Sequence, residues 1–276
     1  MLTIMEFNTA NYNDHLGWNV RLPLIVEAIR GANPDLIGLS EIRYDPSASF
    51  YYNETCEQFW AQYPPPPPNC ASMDTGQQIL TLLQNLNPAY AEAQIVTDQA
   101  MVYGGGLWEG LSVISRLPIL NHAVKQLSSD CSGDANQRIT QWVEVALESG
   151  DAFSLYNTHF ALSQDCLQSN IPETLEFMSA NSSGAGVLIG DMNATPDNSA
   201  LSQFSEAGLT DSWAQLHPDD NGFTFPSWGL VERIDYCWAS SAYSGQLSSI
   251  ELAATDCASG VVYASDHIAL VAQFDI

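Results

Sequence analysis

The sequence predicts an α+β (α/β) fold in which one β-sheet packs on another with helices outside, and two observations carry that expectation. Short β-prone runs dominate after residue 86, with a few helical stretches among them and no regular βαβ alternation. The 276 residues, 46% of them apolar, can bury a sizeable core. Neither an internal repeat nor a second-domain boundary is visible, so one domain over 1–276 is expected.

The first element is the strand "LTIMEF". A helix from about residue 16 follows, on which Val20, Leu24, Ile25 and Ala28 recur at helical spacing. "GANP" ends that helix, and "DLIGLSEI" is the second strand. Residues 44–76, rich in Pro, Tyr, Asn and Cys, form a long surface excursion before a helix over about 77–86. The later strands are "LSVIS", "QRITQWVEVAL", "AFSLYNT", "GVLIG", "FTF", "RIDYCWAS", "LSSIELAA" and "HIALVAQF", with helices near 172–180 and 198–207.

Charge narrows the partners. There are 32 Asp plus Glu against 7 Lys plus Arg, a formal charge of −25, and Lys125 is the single lysine. Such a chain lacks the basic stripe that grips many consecutive nucleic-acid phosphates. No run of 18 apolar residues occurs, and "MLTIMEF" lacks the features of a signal peptide, so a mature or trimmed chain without a transmembrane segment is expected. The six cysteines, none in a CxxC pair, fit three disulfides in a secreted or otherwise extracytoplasmic protein better than a zinc site. Their connectivity stays open; nearest-neighbour pairing joins Cys56–Cys70, Cys131–Cys166 and Cys237–Cys257.

Polar residues recur where strands run out. Asn8 ends the first strand and Glu41 the second. His159 ends "FSLYNTH", Asp191 and Asn193 follow "GVLIG", Asp235 sits in "RIDY", and Asp266 and His267 precede the last strand. A sheet fixes such groups while the adjoining loops admit a substrate. Carboxylates and amides are hard oxygen ligands for Mg²⁺ or Mn²⁺, and two histidines can move protons near neutral pH. The implied reaction is metal-assisted hydrolysis of a phosphoester.

The ordered set "MEFNTAN", "LSE", "GDMN", "RIDY" and "SDHIAL" resembles the endonuclease/exonuclease/phosphatase superfamily of deoxyribonuclease I-like fold, and its motifs span nearly the whole chain. That family includes neutral sphingomyelinases, inositol polyphosphate 5-phosphatases, abasic-site endonucleases and deadenylases. The resemblance implies a four-layer sandwich of two mixed β-sheets packed face to face with helices outside. It also implies a set of roles. Glu41 is the principal metal ligand, with Asn8, Asp266 and Asp191 beside the ion, which is Mg²⁺, Mn²⁺ or Ca²⁺. Asp191 and Asn193 contact the nucleophilic water and the scissile phosphate. His267 is the general base oriented by Asp235. His159 faces the phosphate from the other side, paired with Glu109 of "WEGLSVISR", and Arg138 contacts phosphate. Arg43, Arg116 and Arg233 lie in or beside motif segments too, as anion-site cations or as local ion-pair partners.

Asp191 and Asn193 are two residues apart, so continued strand geometry points both to one side and Met192 into the core. The charge favours a small phosphorylated molecule or a phospholipid headgroup as substrate, acted on by a monomer. A secreted deoxyribonuclease I-like nuclease is the alternative, and an inactive binding module on the same fold a third reading. The third is disfavoured because no predicted site residue is missing.

Overall fold

β1 (Leu2–Asn8) is buried at every position. Met5 and Phe7 enter one apolar layer while Leu2 and Ile4 enter another, as the two-residue period of a strand covered on both faces requires. The computed structural model describes residues 1–11, 17–46, 56–67, 72–129, 131, 134–255 and 263–276. After β1 come α1 (Trp18–Ala32), β2 (Leu36–Tyr44), α2 (Cys56–Trp60), α3 (Thr75–Leu86), β3 (Gln94–Val102), β4 (Trp108–Ser115), β5 (Ile119–Gln126) and β6 (Ile139–Ala146). Then follow β7 (Ala152–His159), α4 (Gln164–Ser182), β8 (Val187–Asp191), α5 (Ser202–Glu206), β9 (Leu209–Asp211), α6 (Ser212–Leu216), β10 (Asp235–Ser240), β11 (Leu247–Ala253) and β12 (Ala269–Phe274).

The strands form two six-stranded sheets, ordered β11-β12-β1-β2-β4-β3 and β5-β6-β7-β8-β10-β9. Within each, one pair is parallel, β1 with β2 and β7 with β8, and the rest are antiparallel. The middle layer packs Ile4, Leu36 and Val113 of the first sheet against Val143, Leu155 and Ile189 of the second. α1 and α3 cover the first sheet through Trp18, Leu22, Ile25, Ile79 and Leu83, and α4 and α5 cover the second through Leu167, Ile171 and Phe204. Each such aliphatic side chain, wholly buried, contributes about 1.5–3 kcal/mol. This is the expected four-layer α/β sandwich.

Several expectations need correction. The buried stripe of α1 is Trp18, Arg21, Leu22, Ile25, Val26 and Ile29, whereas Val20 is 44% exposed. The helix is rotated because Trp18 and the Arg21 guanidinium both anchor inward. α4 begins eight residues earlier than expected, at Gln164, with Pro172 inside it. "FTF" makes one isolated bridge, Phe225 to Glu232, rather than a strand. The surface excursion in part joins the core, with Phe59 and Trp60 buried under the first sheet.

Of the proposed disulfides, Cys131–Cys166 is present, with Cα atoms 5.5 Å apart. Cys237 is a buried free thiol. It faces the inter-sheet layer from β10, with Ser212 Oγ at 3.5 Å, in place of the disulfide expected for it. The side chain of Cys56, and residues Cys70 and Cys257, lie outside the described part. Burial pushes the Cys237 thiol up to about 12. Alkylation without denaturant is therefore expected to leave Cys237 unmodified, and modification should follow unfolding. Mass spectrometry of peptides after iodoacetamide checks this, and labelling of Cys237 in the native protein would contradict the buried placement.

Candidate active site

Strand register assembles the site. In the second sheet His159 lies beside Asp191 across β7 and β8, and Asp191 beside Asp235 across β8 and β10, so three adjacent strands present one polar row. The first sheet supplies Asn8 at the end of β1 and Glu41 on β2. The β2–β4 register shifts between Leu39 and Ile42, and Glu41 adopts a φ of 58° within that irregularity. A bulge re-aims a side chain and bends its strand, and a non-glycine residue at positive φ is strained by about 1–2 kcal/mol. Glu41 is thereby turned into the cleft instead of into the sheet.

Asn8 is the hub between the sheets. Its Nδ2 donates to Asp191 Oδ2 (3.0 Å) and Glu41 Oε1 (3.2 Å) and lies 3.3 Å from His267 Nε2. Its Oδ1 accepts from Ala10 N at 3.0 Å. Glu41 Oε2 also accepts from Asn11 N at 2.8 Å. Asp191 Oδ2 lies 3.5 Å from His159 Nε2 and 3.8 Å from His267 Nε2, so the two imidazoles flank one carboxylate. His267 Nδ1 faces both oxygens of Asp235, at 3.1 and 2.9 Å, and its Nε2 is 3.9 Å from Asp266 Oδ1. Ser265 closes the arrangement: its Oγ donates to Asn8 O (2.6 Å) and accepts from His267 N (3.1 Å).

These groups border a cavity of about 450 Å³ lined by Glu41, Arg43, Tyr103, Glu109, Arg138, His159, Asp191, Asn193, Phe225, Asp266 and His267, among others. Burial, then the Asp235 charge, pushes Asp191 up to about 7, against the opposing pull of His267. His159 is lowered well below its ordinary value by burial, by Arg138 and by His267. Burial alone lowers His267 too, but Asp235, Asp191 and Asp266 together raise it well above the usual imidazole value. Two histidines in one cleft are thus driven in opposite directions, by the carboxylates around His267 and by the burial and the Arg138 charge at His159.

Asp191, Asp235 and His267 offer ligand atoms within 4.8 Å of one another, a group that can hold a metal ion. Both oxygens of Asp235 are engaged by His267 Nδ1, whereas the carboxylates of Asp191, Glu41 and Asp266 line the cavity, with Glu109 and Glu232 also on its wall. Carboxylates crowd this cleft, and a divalent cation is the charge that would balance them. The hard-oxygen donor set fits such an ion.

The pairing expected for His159 differs. Glu109 lies directly across from Arg43 in the β2–β4 register and forms an ion pair with it at 2.7 Å, while His159 Nδ1 faces Arg138 Nη1 at 3.2 Å. Glu109 still lines the cavity, pushed up to about 7 by burial and by Glu41 against the pull of Arg43 and Arg138. Arg116 and Arg233 serve elsewhere, in ion pairs with Asp35 and Asp211. Met192 is buried as expected. Asn193 has left strand geometry, at φ 48°, with Nδ2 donating to Phe160 O at 2.9 Å. Two contributors were not anticipated. Arg21, 3% exposed, donates to the carbonyls of Thr9, Ala10, Asn11 and Ala264 and ties the exit of β1 to the segment before His267. Asp134 binds Arg138. Neither carries a sequence signal beyond its charge.

Residues 171–267 match the sequence model of the Endonuclease/Exonuclease/phosphatase family, and this stretch holds Asp191, Asn193, Asp235, Asp266 and His267. That stretch belongs to the family. The same architecture extends over the whole chain. A family protein from Leptotrichia buccalis matches it over 100% of both chains with a TM-score of 0.72 at 14% identity. Another family protein, from Bacteroides thetaiotaomicron, matches over 100% of this chain and 98% of that one, with a TM-score of 0.71 at 17% identity. The human Nocturnin catalytic domain with bound sulfate matches over 99% of this chain and 94% of that one, with a TM-score of 0.66 at 20% identity. Identities this low carry the fold. No curated protein matches the sequence. The buried Asp191–Asp235–His267 group fits an active site of the family's phosphoesterases.

Proposed function

We propose that the protein is a divalent-metal-dependent phosphoesterase acting on phosphate mono- or diesters of a small molecule or a lipid headgroup. The observation that carries this reading is Asp191 flanked by the Nε2 atoms of His159 and His267, with Asp235 held against the far nitrogen of His267. His267, oriented by Asp235, takes the proton of the attacking water at Nε2. His159 donates a hydrogen bond from the opposite wall to a phosphoryl or leaving-group oxygen. Asn193 and Arg138 help position the phosphate. Glu41, Asp191 and Asp266, with Asn8 supporting them, hold Mg²⁺ or Mn²⁺, which when bound neutralises charge on phosphoryl oxygens.

Charge supports a small substrate. Arg43 and Arg138 line the cavity, and each already has a carboxylate partner, Glu109 and Asp134. With a formal charge of −25, the surface repels a polyanion beyond the one phosphate in the cleft. The Cys131–Cys166 bridge supports an extracytoplasmic setting. Among the described residues no helix is long and apolar enough to cross a membrane.

The test is hydrolysis with Mg²⁺, Mn²⁺ or Ca²⁺, and with EDTA. The substrates are bis-p-nitrophenyl phosphate, p-nitrophenyl phosphate, sphingomyelin, an inositol phosphate and plasmid DNA at low and high salt. The expected result is metal-dependent cleavage of a small or lipid ester, abolished by EDTA, with DNA spared. Robust nicking of DNA would replace the substrate assignment with the nuclease one. Absence of turnover on every ester with every metal would overturn the phosphoesterase reading.

A further inference from the structure

We infer that Asp134 is a positioning residue that acts through Arg138 to hold His159 as the neutral tautomer with its proton on Nε2. A guanidinium has only N–H donors. Arg138 Nη1 lies 3.2 Å from His159 Nδ1, so Nδ1 accepts and carries no hydrogen. The single ring proton is left on Nε2, the nitrogen that faces Asp191 Oδ2 at 3.5 Å. His159 therefore enters the cleft as a hydrogen-bond donor, and its Nε2 has no lone pair with which to take a proton from water. The two histidines are divided by their outer partners: a carboxylate, Asp235, behind His267, and a cation, Arg138, behind His159.

Arg138 is held in turn. Its Nη2 donates to Asp134 Oδ2 at 3.2 Å, and Asp134 is fixed by Leu162 N on Oδ2 and Asn136 N on Oδ1, each at 2.9 Å. The Arg138 and Asp134 side chains are 7% and 2% exposed. Leu162 is three residues beyond His159, so the carboxylate ties the guanidinium to the segment leaving β7. The Cys131–Cys166 bridge fastens the chain just before Asp134 to α4. Through this chain of contacts Asp134 reaches the ring of His159 without touching it.

The catalytic meaning of this assignment rests on the phosphoesterase reading, but the tautomer does not, and a test by NMR separates the two. Long-range ¹H–¹⁵N correlation on ¹⁵N-labelled protein, with the His159 signals identified by their loss in His159→Gln, should show Nδ1 unprotonated and Nε2 protonated. Asp134→Asn should give a mixture of tautomers and lower kcat about 10-fold with KM little changed, the size typical of supporting residues behind a site. Asp134→Glu should recover part of both. A wild-type ring protonated on Nδ1, or a single Nε2–H tautomer persisting in Asp134→Asn, would overturn the inference. Should Asp134→Asn not fold, Arg138→Met decides. It removes the donor that fixes Nδ1 as an acceptor, and the tautomer should again mix; a single Nε2–H tautomer persisting there would equally overturn it. If no ester is hydrolysed at all, the tautomer signals still decide the positioning role.

Discussion

His267→Ala is expected to lower kcat/KM by about 10²–10⁴-fold, the range supplied by a positioned general base. The same change is expected to destabilise the protein by about 3–5 kcal/mol, because it strands a buried charge. Asp235 is 0% exposed, and His267 Nδ1 faces both of its oxygens. Removing the imidazole leaves that carboxylate without its cationic partner. The double variant His267→Ala/Asp235→Asn should regain much of the stability and none of the turnover. Kinetics on bis-p-nitrophenyl phosphate and urea unfolding of both variants measure the two effects. Undiminished turnover in His267→Ala would remove His267 from the mechanism; equal stability of the single and double variants would remove the stranded charge from the account.

The same pair fixes the direction of the pH dependence. A base must lose its proton to act, so kcat/KM should rise with pH through the pKa of His267. Burial draws that pKa down, and Asp235, Asp191 and Asp266 hold it well above 6.5. Asp235→Asn removes the largest of the raising charges and should move the rising limb to lower pH. A cation bound in the cleft would draw the pKa down in both proteins, so the difference between them is what the experiment reads. Stability runs the opposite way, since the folded value is raised: the contribution of His267 is complete below about pH 6.5 and is lost as pH rises through the folded value.

The strand-end pattern was legible because polar residues closing apolar runs are visible in one dimension. Asp191, Asp235 and His159 share a row simply because their strands are adjacent and in register. Partner choice was not legible, because it depends on which strands neighbour one another. Glu109 and His159 share a cleft, yet β2 places Arg43 directly opposite Glu109, and the ion pair follows the register. The turn of Glu41 into the cleft depends on a bulge, which inserts a residue without leaving a composition signal. β3 and β5 escaped notice because they are edge strands with much exposed surface, and their polar residues blur the alternation that a half-buried strand shows. Arg21 escaped notice because a buried arginine that caps carbonyls reads in sequence as a solvated charge.

Gly190→Ala is the substitution expected to cost the most stability, about 4 kcal/mol or more. Gly190 lies on β8 between β7 and β10, at a φ of 143° that side-chain-bearing residues rarely adopt. A Cβ there would sit 1.9 Å from Thr158 O and 2.8 Å from Thr158 C, backbone atoms that cannot rotate away. Thr158 is the register partner of Gly190 on β7, so relief requires the two strands to part. The next pair along is His159 with Asp191, so the strain falls on the polar row of the proposed site, and activity should fall with stability. Gly208→Ala is the control. Its φ is 87°, yet nothing lies within 4 Å of its added Cβ, so the backbone conformation alone should cost about 1–2 kcal/mol. Urea unfolding of both variants separates crowding from backbone strain, and equal losses would refute the crowding account. The glycine before Asp191 in "GDMN" is thus required by the close approach of two parallel strands, and that approach brings Asp191 alongside His159.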